Sequence, residues 1–234
     1  LMTFALLFIV GLVGAFLFFR FNRKESLIDL GILQNHRFVA LIFSLLVYQA
    51  LLLGLSFVLP SFIQVSAGFS SSVAGLFMFP GALIGAVLAP ISGKVLDQIG
   101  ARKPITTGLI LAALGLALLF VFLPTKSLAL LLVAHIVLML GLGISYSNLM
   151  TCSLSTLATD QLSDGNALVN TLQQFIGAVA TAVVATTLSI FQGLNGFKVG
   201  TSHGTSIILA LFFILIIVSL IVSFPNLKKI RANH

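Results

Sequence analysis

The sequence predicts an all-α integral membrane protein with about seven transmembrane helices, the last six of which form one bundle. Of its 234 residues, 59% are hydrophobic and only 7% are charged, and the mean hydropathy is +1.20. A soluble domain of this length could not hide so much apolar surface from water. The apolar residues also form long uncharged runs, which are typical of membrane helices and not of the alternating pattern of a β-barrel.

Seven runs of about 18 or more residues with few charges are long enough to cross a bilayer. They cover residues 2–19, 38–60, 73–93, 104–123, 127–149, 167–190 and 205–224. The positive charges follow the first run instead of preceding it, so this run is not predicted to be a signal peptide. We expect three regions: an extra helix with a connector (1–37), a six-helix bundle (38–225) and a basic tail (226–234).

Basic residues are unequally distributed between the segments that connect these spans. One alternating set contains ten of the twelve lysines and arginines, and the other contains only Lys126 and Lys198. Cytoplasmic loops of membrane proteins carry an excess of Lys and Arg. The first set of connecting segments is therefore predicted to lie on the cytoplasmic side of the cell membrane. The N-terminus of this chain is then outside and its C-terminus inside. This topology accounts for the net charge of +7, and no nucleic-acid partner is expected.

The start of the chain at Leu1 runs directly into an apolar span. An outside N-terminus of this kind is expected if earlier helices have been cut away. We therefore expect a fragment of a longer membrane protein, and the alternative is a short native protein that starts at Met2.

Polar residues within the spans fall on helical faces. The sixth span carries amides and small residues at spacings of three and four: Asn166, Asn170, Gln174, Gly177, Thr181 and Ala185, with Gln173 beside them. The fifth span has a similar face with Gly141, Ser145, Asn148 and Cys152, and the second has a weaker one with Tyr48, Gln49 and Ser56. Two interpretations remain, namely hydrogen bonds between helices and the lining of a water-filled cavity. The extent of the stripe favours the cavity.

His135 is the only histidine, lysine, arginine or carboxylate deep within a predicted span. An ionisable side chain is costly to bury within a membrane span, so its presence there indicates a functional site. His135 is therefore a candidate for proton handling or for the cavity. The alternative is a neutral imidazole bonded to a neighbouring hydroxyl or water.

The third span contains Pro80, Gly81, Gly85 and Pro90. Gly81 and Gly85 are expected to form a GxxxG face for close helix contact, and the prolines are expected to kink the helix. A helix that bends near a gate would use the same residues.

Catalytic and metal-binding patterns are not recognised in the sequence, so no enzyme activity and no cofactor are expected. The five carboxylates all fall in segments assigned to the cytoplasm: Glu25, Asp29, Asp97, Asp160 and Asp164. The histidines have no Cys, Asp or Glu at metal-site spacing. Ser163 or Asp164 is expected to cap the sixth helix, and Cys152 is expected to be a buried filler.

The segment between the third and fourth spans reads Gly93-Lys94-x-x-Asp97-x-x-Gly100-x-Arg102-Lys103-Pro104. It resembles the cytoplasmic loop signature of the major facilitator superfamily, G-x-x-x-D-x-x-G-x-[RK]-[RK]. Residues 68–75 (GFSSSVAG) followed by 79–81 (FPG), and residues 165–174 (GNALVNTLQQ) followed by Gly177, are similar to the C-terminal half of the fourteen-helix drug:proton antiporters of the EmrB/QacA type, including the lincomycin-resistance exporters.

The resemblance implies one half of a proton-driven exporter of amphipathic or cationic small molecules that works by alternating access. That family has two six-helix halves with two extra helices between them, so the seven spans fit the second extra helix and the C-terminal half. The N-terminal half, with the acidic groups that couple proton flow, is expected to be a missing partner, and the lipid bilayer, protons and a drug-like substrate are the others. Substrate-cavity candidates are Tyr48, Gln49, His135, Asn148, Asn170, Gln173 and Gln174.

Three alternatives to drug export are kept open. They are a facilitator of the same fold that carries a metabolite or peptide, a membrane-embedded enzyme acting on lipid, and a truncated membrane protein that does not transport.

A conformational gate is expected at Gly93, Asp97, Gly100, Arg102 and Lys103. The glycines allow tight turns, and Pro104 suits the first turn of the next helix. Asp97 is expected to accept a charge-assisted bond from Arg102, or to lie against the N-terminus of a neighbouring helix, and so to hold the cytoplasmic side shut. The alternative is that the basic residues only set the topology.

Overall fold

The computed structural model describes residues 29–227 and five isolated positions before them (11, 13, 14, 16 and 20). Six long helices account for most of residues 29–227: α1 (His36–Ser61), α2 (Ser71–Ile99), α3 (Arg102–Phe122), α4 (Leu128–Leu154), α5 (Leu162–Asn195) and α6 (Phe197–Asn226). They correspond to the second to seventh predicted spans, and the all-α class is confirmed. Apart from positions 11, 13, 14 and 16, the first predicted span lies outside the described residues, as does the tail after Leu227.

Each of the six helices is long and apolar enough to cross a membrane. The helices extend beyond the predicted runs, and α5 has 34 residues where the hydropathy pattern marked only 167–190. Backbone hydrogen bonding continues through the polar residues at a helix end, whereas a hydropathy criterion stops at them. The polar first turn of α5, which carries Asp164 and Asn166, therefore belongs to the helix itself.

Capping residues and glycines set the limits of several helices. Asn35 caps α1, where its Oδ1 accepts hydrogen bonds from the N–H groups of Arg37 (3.1 Å) and Phe38 (3.3 Å). Gly100 ends α2 with φ +76° and Gly196 separates α5 from α6 with φ +77°. Residues with a side chain rarely adopt this left-handed conformation, so glycine is required at both turns.

The helices pack so that α1 lies at the centre of the bundle. Helix α1 contacts α4, α5 and α6, while α4 also packs closely against α2 and α3, and α6 packs against α3 and α5. Within its most apolar segment, 61% of α1 is buried, against 17% for α2 and 22% for α5. Helices α2 and α5 therefore offer most of their surface to something outside this bundle.

Glycines bring the backbones of α3 and α4 into direct contact. An added Cβ at Gly141 would lie 2.5 Å from the Ala112 nitrogen and 2.5 Å from the Gly108 oxygen. An added Cβ at Gly115 would likewise meet the backbone of Leu138, with the Leu138 Cα at 2.6 Å. This is small-residue packing of the kind that brings membrane helices together.

Helix α2 meets α4 through a single glycine of its predicted GxxxG pair. An added Cβ at Gly81 would lie 2.5 Å from His135 Nε2 and 2.8 Å from Met139 Cγ, whereas one at Gly85 would meet nothing within 4 Å. Gly85 therefore does not share the close contact expected of the pair, because no atom of another helix lies near its Cβ position. The helix assignment continues through Pro80 and Pro90.

The residues that precede α1 are tied to the connection between α4 and α5. The Asn35 amide donates to the Thr156 carbonyl (2.9 Å), and the Gln161 amide donates to Asp29 Oδ2 (3.1 Å). Asp164 Oδ2 accepts a hydrogen bond from the Asp29 N–H (2.9 Å). The expectation that Ser163 or Asp164 caps α5 was wrong. The helix begins at Leu162, so both residues lie inside its first turn. The Asp164 carboxylate instead accepts the hydrogen bond from the Asp29 backbone N–H.

Asn35→Ala is expected to lower stability more than the loss of a helix cap alone. The substitution removes the cap of α1, worth about 0.5–2 kcal/mol, and also the bond to Thr156. Ser70→Ala is the matched control, because Ser70 Oγ caps α2 through Val73. Thermal unfolding in detergent, followed by dye labelling of the buried Cys152, compares the two variants. An equal loss in both would mean that the Thr156 bond contributes nothing.

Candidate functional site

Three polar side chains from α1, α4 and α5 form a hydrogen-bonded chain inside the bundle. The Tyr146 hydroxyl donates to Gln49 Oε1 at 2.7 Å, and Gln173 Nε2 donates to the Tyr146 hydroxyl at 2.7 Å. Both glutamines are half-buried. The Tyr146 hydroxyl therefore bonds to one amide from α1 and one from α5. It donates the first hydrogen bond and accepts the second.

The direction of these bonds determines what the site offers to a ligand. A phenol has one proton, and Tyr146 gives it to Gln49 while accepting one from Gln173. The Gln49 amide N–H groups and the Gln173 carbonyl oxygen remain outside the chain of bonds. The site thus presents uncharged donor and acceptor groups, which orient a small molecule without selecting for one charge.

Tyr48 supports this chain from a buried position. Ser145 Oγ lies 2.7 Å from the Gly141 carbonyl and 2.8 Å from the Tyr48 hydroxyl. Because the serine has one proton and the carbonyl needs it, Tyr48 supplies the proton of the other bond. The Tyr48 ring centroid is 6.5 Å from that of Tyr146, and Tyr48 is 0% exposed. In this structure Tyr48 joins α1 to α4 and does not line an open surface as expected.

The other predicted cavity residues do not all join this group. Gln174 and Asn170 lie on exposed parts of α5, and the Asn170 amide bonds to the Asn166 carbonyl at 2.9 Å. Asn148 is 1% exposed, and its amide donates to the Ile144 carbonyl at 2.9 Å. His135 is also fully buried and packs on α2, where its ring stacks on Phe77 with centroids 5.4 Å apart. Asn148 and His135 therefore line no open surface in this structure.

Tyr146 was missed because it lies one position beyond the polar face of α4 that Gly141 and Ser145 define. Successive residues of a helix point about 100° apart, so a search along that face passes over it. The available signal was composition, since the chain has only two tyrosines. A phenol within a membrane span needs a polar partner, and the glutamines of α1 and α5 were the candidates.

The predicted gate residues lie where α2 turns into α3. Asp97, Arg102 and Lys103 are exposed, and Gly93 is half-buried. The Arg102 guanidinium lies over the Phe224 ring of α6, with Cζ 4.3 Å from the centroid, an arrangement that favours a cation–π contact. Within the described residues Arg102 is thus bound to α6, and the expected bond between Arg102 and Asp97 is not formed.

Two further features limit the chemistry of the bundle. Within residues 29–227, no group of three or more His, Cys, Asp or Glu side chains could hold a metal ion. A groove between α3 and α6 is lined by apolar side chains alone: Ala117, Phe120, Val121, Leu209, Ala210, Phe213 and Ile214. It offers no group that could orient a polar ligand, so the chain centred on Tyr146 is the candidate site.

Comparison with known proteins finds relatives whose names refer to resistance or to efflux. The chain is 29% identical over 180 residues to the lincomycin resistance protein LmrB of Listeria innocua, a match that covers 77% of this chain and 38% of that protein. It is 30% identical to the multidrug resistance protein B homolog of Mycobacterium tuberculosis, with 77% and 34% covered. It is 24% identical to the multidrug efflux pump LfrA of Mycolicibacterium smegmatis, with 80% and 38% covered.

The match covers only part of the length of each relative. The chain spans 34–38% of the length of these three proteins. The family described as Major Facilitator Superfamily matches residues 1–182, which is more than half of the 234 residues. Residues 29–227 also form one bundle of six helices that are long and apolar enough to cross a membrane. By this match, the chain belongs to the Major Facilitator Superfamily.

Proposed function

We propose that this chain is the C-terminal half of a proton-coupled multidrug efflux transporter. It would export amphipathic or cationic small molecules from the cell, with its C-terminus in the cytoplasm. The observation that carries the proposal is the hydrogen-bonded chain of Gln49, Tyr146 and Gln173. The names of the relatives, which refer to lincomycin resistance and multidrug efflux, support the substrate class.

The packing of the bundle supports a second half as partner. Helices α2 and α5 leave most of their apolar segments exposed, and α5 also carries the exposed amides of Asn170 and Gln174. Amides facing lipid are costly because they have no hydrogen-bond partner there. A second bundle facing α5 would instead enclose a polar cavity between the two halves, as in transporters with a midplane site.

Alternating access then requires the two bundles to rock about this cavity. Gln49, Tyr146 and Gln173 supply one wall, and their neutral groups accept ligands of different shape. Asp97 and the turn after it act as the cytoplasmic gate. In this structure Arg102 is held by Phe224 of α6, so a move of Arg102 from Phe224 to Asp97 would change how the turn is attached to the bundle.

The test is transport by the complete transporter that contains this chain. We expect inverted membrane vesicles to accumulate drug when a proton gradient is imposed, and to stop when an uncoupler is added. A protein that carries a metabolite and no drug in the same vesicles would contradict the proposal and favour a facilitator of another solute.

Asp97→Asn is expected to impair efflux while membrane insertion stays normal. The substitution keeps the shape of the side chain and removes the charge that a gate bond to Arg102 needs. Asp160→Asn is the matched control, because Asp160 is also exposed and lies outside this turn. Drug efflux is measured at equal membrane expression. Equal efflux in the two variants would rule out a role for the Asp97 charge.

A further inference from the structure

We propose that His135 is a proton-binding site of this chain, and that water reaches it when α2 and α4 separate at Gly81. The inference rests on the proposed proton-coupled transport and adds the group that takes the proton in this half. It starts from an imidazole that is fully buried, and whose two nitrogens have no hydrogen-bond partner among the described residues.

The surroundings of the ring contain nothing that satisfies it. On α2 it meets the Phe77 ring and the Gly81 backbone, and on its own helix it lies beside Met139. A buried polar group without a partner is unfavourable, and such groups in native structures require an explanation. Of the two partners expected for a neutral imidazole, the neighbouring hydroxyl is not found among the described residues.

Its depth suits exchange with one side of the membrane. His135 is seven residues from Leu128, the start of α4, which corresponds to about 10 Å along the axis. In the predicted orientation this end of α4 is outside. A proton can therefore reach the ring from that side after a short separation of the helices, without crossing the whole membrane.

Other charged groups on the helices around α4 lie too far along their axes to compete for this proton. All of these groups lie at the opposite helix ends: Lys94 and Asp97 on α2, Arg102 and Lys103 on α3, His36 and Arg37 on α1, and Asp164 on α5. Tyr48 of α1 is bonded to Ser145, and Tyr146 of α4 is bonded to Gln49 and Gln173. Lys126 precedes α4 at the near end and is the one cation on that side of these helices.

Gly81 controls access because α2 closes on the ring there. Opening the contact between α2 and α4 would let water reach the ring. The unprotonated ring nitrogen then accepts a proton from a hydronium ion, which leaves as water. The imidazolium gives the proton back to another water molecule when the ring is next hydrated. A cation is costly in the closed apolar contact, so protonation favours the open arrangement and couples the proton to helix movement.

Hydrogen exchange at the imidazole C2 carbon tests this without any transport assay. The intact chain is incubated in deuterated buffer in lipid nanodiscs over a range of pH, and each histidine is followed by mass spectrometry. The exposed His36 and His203 are internal standards. We expect His135 to exchange about tenfold or more slowly than they do, in proportion to the helix opening, and with a sigmoidal pH dependence. No exchange at His135 after the standards are complete would overturn the proposal.

Two glycine variants separate access from general loosening. Gly81→Ala would push a Cβ against Nε2 and Met139, whereas Gly85→Ala has open space one turn further along the same helix. We expect faster exchange at His135 in Gly81→Ala and no change in Gly85→Ala. Equal exchange in both variants would show that the α2–α4 contact does not control access to the ring, which would also overturn the proposal.

Efflux by the complete transporter separates failure of this inference from failure of the proposed function. His135→Gln, which cannot be protonated, is expected to lose the proton dependence of drug efflux while still inserting in the membrane. Efflux with an unchanged pH profile would overturn the proton site and leave the efflux function standing. Absence of drug efflux in the unmodified transporter would refute the proposed function, and the exchange experiment would still decide whether His135 binds protons.

Discussion

Tyr146→Phe is expected to lower drug efflux by the complete transporter on the order of tenfold at limiting drug concentration. Two hydrogen bonds disappear with the hydroxyl, each worth about 0.5–1.5 kcal/mol net, and about 1.4 kcal/mol corresponds to a tenfold change in binding. The freed amides of Gln49 and Gln173 are no longer held at fixed positions. We expect the apparent affinity for drug to change more than the maximal rate, measured as KM against kcat in vesicles.

Tyr48→Phe is the matched control for this prediction. It removes the same hydroxyl from a neighbouring tyrosine, but Tyr48 is 0% exposed and its bond to Ser145 joins α1 to α4. We expect Tyr48→Phe to lower the unfolding temperature and to leave the KM for drug unchanged. If both tyrosine variants changed KM equally, Tyr146 would have no special position at the cavity wall.

Gly141→Ala is expected to destabilise the bundle by about 1–3 kcal/mol or more, as overpacking of a tight core does. The new Cβ would lie 2.5 Å from backbone atoms of Ala112 and Gly108. A backbone cannot rotate out of the way as a side chain can, so α3 and α4 must move apart. That movement would also strain the bond between Ser145 and Tyr48, because Ser145 is one turn from Gly141 on α4.

Thermal unfolding in detergent measures this effect through the reaction of a thiol dye with Cys152, which is buried and is the single cysteine of the chain. Gly75→Ala in α2 is the control, since an added Cβ there meets nothing within 4 Å. We expect a clear drop in unfolding temperature for Gly141→Ala alone. A similar small change in both variants would mean that α3 and α4 tolerate a larger separation.

The positions of the helices were predictable because membrane spans depend on local composition. A lipid environment requires every span to satisfy its own backbone and to be apolar along its length, and a run such as 104–123 meets both conditions without knowledge of its neighbours. The limits were less accurate at α5, because its polar first turn, with Asp164 and Asn166, lies outside the run that a hydropathy criterion marks. Helix pairing was not predictable, because Gly81 and Gly85 look equivalent in sequence and only Gly81 has a helix against it.

For the candidate site, Gln49 and Gln173 were predicted from their types, since amides within a span need a partner. Tyr146, which joins them, was missed because the polar face of α4 was defined by its neighbours. The expected bond between Asp97 and Arg102 depended on their closeness in sequence, whereas Arg102 contacts Phe224 on the far end of the chain. Contacts between distant segments decide such questions, and a single sequence carries no direct record of them.

By itself, the sequence determined the class of the protein, the number and order of spans 38–60 to 205–224, and the polar residue types available inside them. These follow from hydropathy and periodicity, which are properties of each segment alone. Only the tertiary structure decided which polar groups meet. It joined Gln49 and Gln173 through Tyr146, turned His135 away from them toward Phe77, and buried Tyr48 against Ser145. The physical reason is that hydrogen bonds act over about 3 Å, so the rotation and spacing of whole helices determine which are made.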